Sequence, residues 1–148
     1  HLSGTGHSDL GDILIMPTTG QIHTNPGTAQ NPQAGYRSRF SHETEHCEPG
    51  YYEVMLDDYG VKAQLTATQR VGVHQYTFPS ADGQFVLDLG AGIYNYEGKT
   101  LWTYLRVVND TLLTGYRITN GWRDRTTPTL PSPFRNPSAS MAMWMHSA

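Results

Sequence analysis

The stretch Val61-Lys62-Ala63-Gln64-Leu65-Thr66-Ala67-Thr68 decides the fold class. Its alternation is strict, with Val61, Ala63, Leu65 and Ala67 on one side of an extended chain and Lys62, Gln64, Thr66 and Thr68 on the other. A period of two is the mark of a half-buried strand, because successive side chains leave a sheet on opposite faces. One face is therefore expected to be buried and the other wet. Just upstream, Asp57-Asp58-Tyr59-Gly60 is a turn signal. Before it, Tyr51 to Asp57 reads as the partner strand, entered through the corner Glu48-Pro49-Gly50.

The same pattern continues in both directions. Toward the C-terminus, Val71 to Phe78 is a strand closed by Pro79 and the turn Ala81-Asp82-Gly83, and Phe85 to Leu89 follows. Leu101 to Val108 and Leu112 to Asn120 are two more, joined through Asn109-Asp110. Toward the N-terminus, Asp12 to Met16 is a strand, and Pro17 to Gly35 is a long polar loop of the kind that is functional or mobile. Short strands separated by a turn about every ten residues predict an all-β antiparallel β-sandwich. The chain shows no internal repeat and no long helical period.

Composition agrees with this and removes several function classes. At 148 residues the chain is one domain's worth of protein, and a domain of that size buries roughly two thirds of its unfolded surface. Nine Tyr, four Phe and three Trp suit strands, and 15 Gly with 9 Pro suit frequent turns. The formal charge is −3 and the ten Lys and Arg are scattered, which argues against a nucleic-acid surface. No apolar run is long enough to be a helical membrane span. A single cysteine, Cys47, makes no internal disulfide. The sequon Asn109-Asp110-Thr111 is a glycosylation acceptor only in a eukaryotic secretory setting, and it reads equally well as a turn between strands.

The densest polar stretch is the first twelve residues, His1-Leu2-Ser3-Gly4-Thr5-Gly6-His7-Ser8-Asp9-Leu10-Gly11-Asp12. Small residues let a backbone approach a ligand closely, and the hydroxyls, imidazoles and carboxylates supply directional hydrogen bonds. This block leads straight into the apolar run Ile13-Leu14-Ile15-Met16, as a binding loop anchored on a strand would. Standing at residue 1, it suggests a chain that starts inside a domain. The opposite end differs in character. Pro128, Pro131, Pro133 and Pro137 exclude a central strand there, and the chain closes on the Met- and Trp-rich Met141 to Met145.

Other motifs carry less. His42-Glu43-Thr44-Glu45-His46 has the H-E-x-x-H spacing of zinc proteases, which requires a helix to place both histidines on one face. Pro49 and Gly50 stop a helix within a turn, and no third ligand is evident. Asp9 with Asp12, and Glu43 with Glu45, are candidate acid and base pairs, but paired acids in turns usually cap or solvate loops. Asp57 and Asp58 are read as such. Gly4-Thr5-Gly6 has no preceding strand and is no dinucleotide fingerprint. His7, Ser8 and Asp9 are neighbours in sequence, a poor arrangement for a catalytic triad. Trp102, Tyr104, Tyr116 and Trp122 could stack on sugars, although alternating aromatics in strands are usually core.

At the level of ordered blocks, the sequence resembles the N-terminal domain of glycoside hydrolase family 92, the calcium-dependent exo-α-mannosidases. The likeness runs through His1 to Gly6, Ser8-Asp9, Gly11-Asp12, Met16-Pro17 and Phe40-Ser41-His42-Glu43. It continues through Pro49-Gly50-Tyr51-Tyr52, Leu56 to Gly60, Ala63 to Arg70 and His74 to Pro79, ending at Gly115-Tyr116-Arg117 and Gly121-Trp122. Two departures are His7, where relatives commonly carry Cys, and Leu10, where an aromatic is common.

The resemblance implies a β-sandwich that precedes a helical catalytic domain, with the acid, the base and the calcium ligands in that later domain. Residues 1–122 would be a partial N-terminal sandwich, incomplete at its start. Residues 123–148 would be a non-family tail, disordered or produced by a frame shift. The chain itself would have no catalytic residue, no metal site and no cofactor. His7, Ser8 and Asp9 would face the sugar or the missing catalytic domain. The implied partners are a mannose-containing glycan, such as an N-glycan, and that domain, with no nucleic acid and no membrane span; the implied location is periplasmic or secreted. Two other readings stay open: a free-standing carbohydrate-binding sandwich, and a zinc protease acting through His42 and His46.

Overall fold

The computed structural model describes residues 13–28, 30–91 and 97–119, and the backbone of 139–144. Apart from one 3-10 turn, Pro32–Ala34, every regular element among these residues is a strand. In chain order they are β1 (Leu14–Thr18), β2 (His46–Glu48), β3 (Tyr51–Leu56), β4 (Val61–Ala67), β5 (Gly72–Thr77), β6 (Gln84–Asp88), β7 (Thr100–Asn109), β8 (Leu112–Thr119) and β9 (Ala139–Trp144). No helix among the described residues is long and apolar enough to cross a membrane. The chain divides into two compact units, centred on Ile15–Leu87 and Asp88–Ala148.

In the first unit β2, β3, β4 and β5 form an antiparallel four-stranded sheet in sequence order, while β1 pairs with β6. The pairing of β3 with β4 sets Tyr52, Val54 and Leu56 opposite Leu65, Ala63 and Val61. Val54, Val61, Ala63 and Leu65 are buried, so the alternating face predicted for β4 is the core face. Alternation loses its effect at Ala67, which is exposed where β4 runs out beside Gly72. The hairpin turns at Asp57 to Gly60, where the Tyr59 amide donates to the Leu56 carbonyl at 3.2 Å. Gly60 completes it at φ +62°, a left-handed conformation that a side chain disfavours.

The turn is clamped from the loop before β2. The Arg39 amide donates to Asp58 Oδ2 at 2.7 Å, and its guanidinium reaches Oδ1 at 3.0 Å through Nε and 2.6 Å through Nη2. The Asp57 amide returns a bond to the Arg39 carbonyl at 2.9 Å. Asp58, read from sequence as a solvated turn residue, is thus a tie between segments 19 residues apart.

In the second unit β7, β8 and β9 form an antiparallel sheet in that order, with irregularities of register at both ends of the β7 and β8 pairing. Leu113 and Arg117 are its buried β8 side chains. The Arg117 guanidinium donates to the Ala91 carbonyl and to Thr100 Oγ1, the latter at 2.8 Å. From Leu101 to Asn109, β7 is exposed on both faces.

The all-β class and the antiparallel sheets follow the expectation from sequence. The differences have local causes. β1 runs through Pro17 to Thr18 instead of stopping at Met16, which a strand with β6 as its one partner tolerates. β2 has three residues, too few to show a period. Within 123–148, Ala139–Trp144 pairs with β8 as β9, and the other residues of that stretch lie outside those described.

The long loop after β1 is packed on itself. The Tyr36 amide donates to the Asn25 carbonyl at 2.9 Å, and a Cβ at Gly35 would collide with the Gly27 nitrogen and stand 2.5 Å from the Asn25 oxygen. Those neighbours are backbone and cannot swing aside. Gly35→Ala is expected to lower stability in urea unfolding by about 2 kcal/mol or more; a cost under about 0.5 kcal/mol would show that the loop is not held this way.

Candidate functional site

The wet face of the four-stranded sheet carries a polar network whose members the register brings together. His46, Glu53, Gln64 and Gln75 lie in one row across β2 to β5. Tyr51 donates its hydroxyl to Glu53 Oε2 at 2.5 Å, and Gln64 Nε2 donates to the Tyr51 oxygen at 2.7 Å and to Glu53 Oε2 at 3.0 Å. Lys62 Nζ stands 2.9 Å from Glu53 Oε1. The Tyr51 hydroxyl first, then Lys62, holds the Glu53 carboxyl below the usual carboxylate range, while Glu53 raises Lys62. Glu53 is therefore an ionised acceptor at neutral pH and cannot donate a proton there.

The H-E-x-x-H segment folds differently from its zinc-protease counterpart. Ser41 organises a turn, accepting at its carbonyl from the Thr44 amide at 3.1 Å and at its hydroxyl from the Glu43 amide at 3.2 Å. His42 lies in that turn, whereas His46 begins β2, so the two imidazoles do not share a helix face. His42 Nδ1 is 2.5 Å from Glu45 Oε2, and Tyr52 donates its hydroxyl to Glu45 Oε1 at 2.7 Å. These two bonds, Tyr52 first, hold Glu45 low. Burial and then Glu45 push the Tyr52 hydroxyl up to about 12. Among the described residues no group of three or more His, Cys, Asp or Glu is placed to hold a metal ion.

A second titratable cluster, not singled out from the sequence, lies on the opposite face of β5. His74 Nδ1 is 2.8 Å from the Tyr76 oxygen, and the Tyr76 ring packs 5.3 Å from Phe85, which in turn meets Phe78 edge-on at 5.6 Å. Burial lowers His74 and pushes Tyr76 up to about 12. The period of two through Val71 to Phe78 places His74, Tyr76 and Phe78 on one side, so the signal was present; their partner Phe85 belongs to another strand.

The aromatic residues of β7 and β8 are only partly core. Tyr104 and Tyr116 stack with centroids 5.3 Å apart and planes 25° apart, as their cross-strand register requires. Trp102 is 60% exposed and Tyr104 44% exposed, with Leu101, Leu105, Val107 and Val108 also open to solvent. Alternation predicts a buried side, but it cannot say whether anything covers it. His7, Ser8, Asp9 and Trp122 lie outside the described residues.

Comparison with known proteins gives a consistent result. Residues 1–147 match the glycosyl hydrolase family 92 N-terminal domain. A solved structure of the family GH92 alpha-mannosidase BT3965 from Bacteroides thetaiotaomicron is 44% identical, with a TM-score of 0.74, over 82% of this chain and 16% of that one. A structure of the same alpha-mannosidase in complex with mannoimidazole is 34% identical, with a TM-score of 0.74, over 97% of this chain and 21% of that one. The chain thus spans about a fifth or less of the length of these relatives. No curated protein matches the sequence.

Tyr52 and Tyr76, both raised to about 12, fix an alkaline limit. A hydroxyl whose pKa is raised on folding favours the folded state below its ordinary value of 10.0, and loses that contribution as pH climbs through the folded value of about 12. Calorimetric melting is expected to fall between these values, and Tyr76→Phe to flatten part of the fall. In Glu45→Gln, the Tyr52 hydroxyl is expected to titrate below its wild-type position but still above 10.0, because burial is the larger cause. Ultraviolet difference titration reads both outcomes.

Proposed function

Since this chain belongs to glycosyl hydrolase family 92, as its N-terminal domain, we propose that it works as part of an α-mannosidase that removes terminal α-linked mannose from glycans, N-glycans among them. The observation that supports this most directly is its likeness, over 97% of its length, to an alpha-mannosidase solved in complex with mannoimidazole. In this reading the chain shapes a wall of the carbohydrate pocket and packs on a catalytic domain. The proposed location is periplasmic or secreted. His7, Ser8 and Asp9 are the residues assigned to the sugar or to that domain.

The chemistry of the described carboxylates fits a supporting part. An inverting glycosidase needs a proton donor with a raised pKa and a base about 6.5–9.5 Å from it. Glu45, Glu53 and Asp58 are all held low by hydrogen-bond donors, which favours the ionised form and disqualifies each as the acid. Calcium, implied by the resemblance, is assigned in this reading to ligands of the catalytic domain. The open apolar run of β7 is the surface proposed to meet that domain, since contiguous exposed apolar patches mark interaction sites.

The test is a chimera in which this chain replaces the matched segment of the Bacteroides alpha-mannosidase. The chimera is expected to release mannose from an aryl α-mannoside in calcium, and the 148-residue chain alone to release none. Hydrolysis by the chain alone, or a folded but inactive chimera beside an active parent, would overturn the proposal. Leu105→Asp and Val107→Asp, at exposed positions, are expected to change the stability of the chain alone by no more than about 0.5 kcal/mol while lowering the activity of the chimera.

A further inference from the structure

The loop between β1 and β2 encloses, with the β3 to β4 turn, an open polar hollow of about 250 Å3 that none of the roles above uses. Gln21, His23, Gln33 and Arg37 line it, and among the described residues these four side chains hold no hydrogen bond or ion pair. Thr19 and Tyr59 also line it, and Thr19 Oγ1 donates to the Tyr59 carbonyl at 3.3 Å, joining its two sides. Asp58 contributes a carboxylate whose position is fixed by Arg39. The backbone beneath is pinned at Gly35 against Asn25 to Gly27.

Uncommitted polar side chains on a pinned backbone are organised for a ligand that is itself rich in hydrogen bonds. Two primary amides, a guanidinium and an imidazole offer donors throughout and acceptors at three of the four, and planar amide and guanidinium groups can span two neighbouring hydroxyls. Charge narrows the choice. Asp58 is neutralised by Arg39, leaving Arg37 as the one uncompensated formal charge among the hollow's described lining residues at neutral pH with His neutral, too little for a multiply charged anion. Tyr59 supplies the aromatic surface on which the apolar face of a pyranose can rest.

We infer that this hollow binds one neutral hexose unit through its vicinal hydroxyls, with Gln21, Gln33, His23 and Arg37 as the contacts. The inference rests on the glycan reading above and extends it: the hollow holds a sugar of the glycan and takes no part in bond cleavage.

The experiment is amide chemical-shift mapping of the 148-residue chain titrated with methyl α-mannoside, methyl α-glucoside and methyl α-galactoside. At least one hexoside is expected to give saturable shifts in residues 19–37 and 58–60, and the His23→Ala, Arg37→Ala double variant to weaken that binding by about tenfold. Both replaced side chains lack partners among the described residues, so an unchanged melting temperature will show that the fold is retained. Shifts in the hollow with the glucoside or galactoside but not the mannoside would support the hollow and count against α-mannoside as the family-level ligand here. Saturable shifts confined to other residues would overturn the hollow and leave the glycan reading standing. No shift in the hollow with any hexoside, or wild-type affinity in the double variant, would likewise overturn it.

Discussion

The register of the β3 to β4 hairpin is the constraint on which the first unit depends. It sets Val54 opposite Ala63 and Leu56 opposite Val61, and so decides which side of four strands is core. A slip of one residue would invert one strand against the other, bringing Glu53 or Lys62 to the buried side and exposing Val54 or Val61. Two features prevent it. The turn closes with Gly60 in a left-handed conformation, and Asp58 within it is gripped by the backbone and guanidinium of Arg39. Through that grip the hairpin also fixes the long loop that precedes β2.

Once the register is set, the polar side of the same sheet organises itself. Glu53 collects Tyr51, Gln64 and Lys62 there, while Glu45 collects His42 and Tyr52, whose ring belongs to the opposite face. Each carboxylate sits among donors, which lowers its proton affinity and makes it a stable anchor. Catalytic acids require the reverse environment, with burial or neighbouring negative charge. The polar residues of this sheet therefore serve cohesion.

The second unit has a different balance. β8 buries Leu113 and Arg117, while β7 beside it leaves Trp102, Val107 and their neighbours in water. An exposed strand with one charge, Arg106, between Leu101 and Val108 is a costly surface for an isolated domain and an ordinary one for a domain that lies against another.

By itself the sequence determined what depends on neighbours along the chain: the all-β class, the alternating core face of Val61 to Leu65, most strand positions, and the family, which ordered blocks such as Leu56 to Gly60 reveal. It weighed against a helical H-E-x-x-H, since Pro49 and Gly50 follow so closely, and the turn at Ser41 with His46 in β2 then showed the segment to be non-helical. Tertiary structure decided what depends on residues far apart. The pairing of Asp58 with Arg39, the packing of Tyr76 on Phe85, the pinning of Gly35 by Asn25 and the addition of β9 to β8 all join segments whose local patterns contain no reference to one another. Exposure of Trp102 and Tyr104 belongs to the same class. A period of two states that a strand has two faces; only the assembled neighbours determine whether either face is covered.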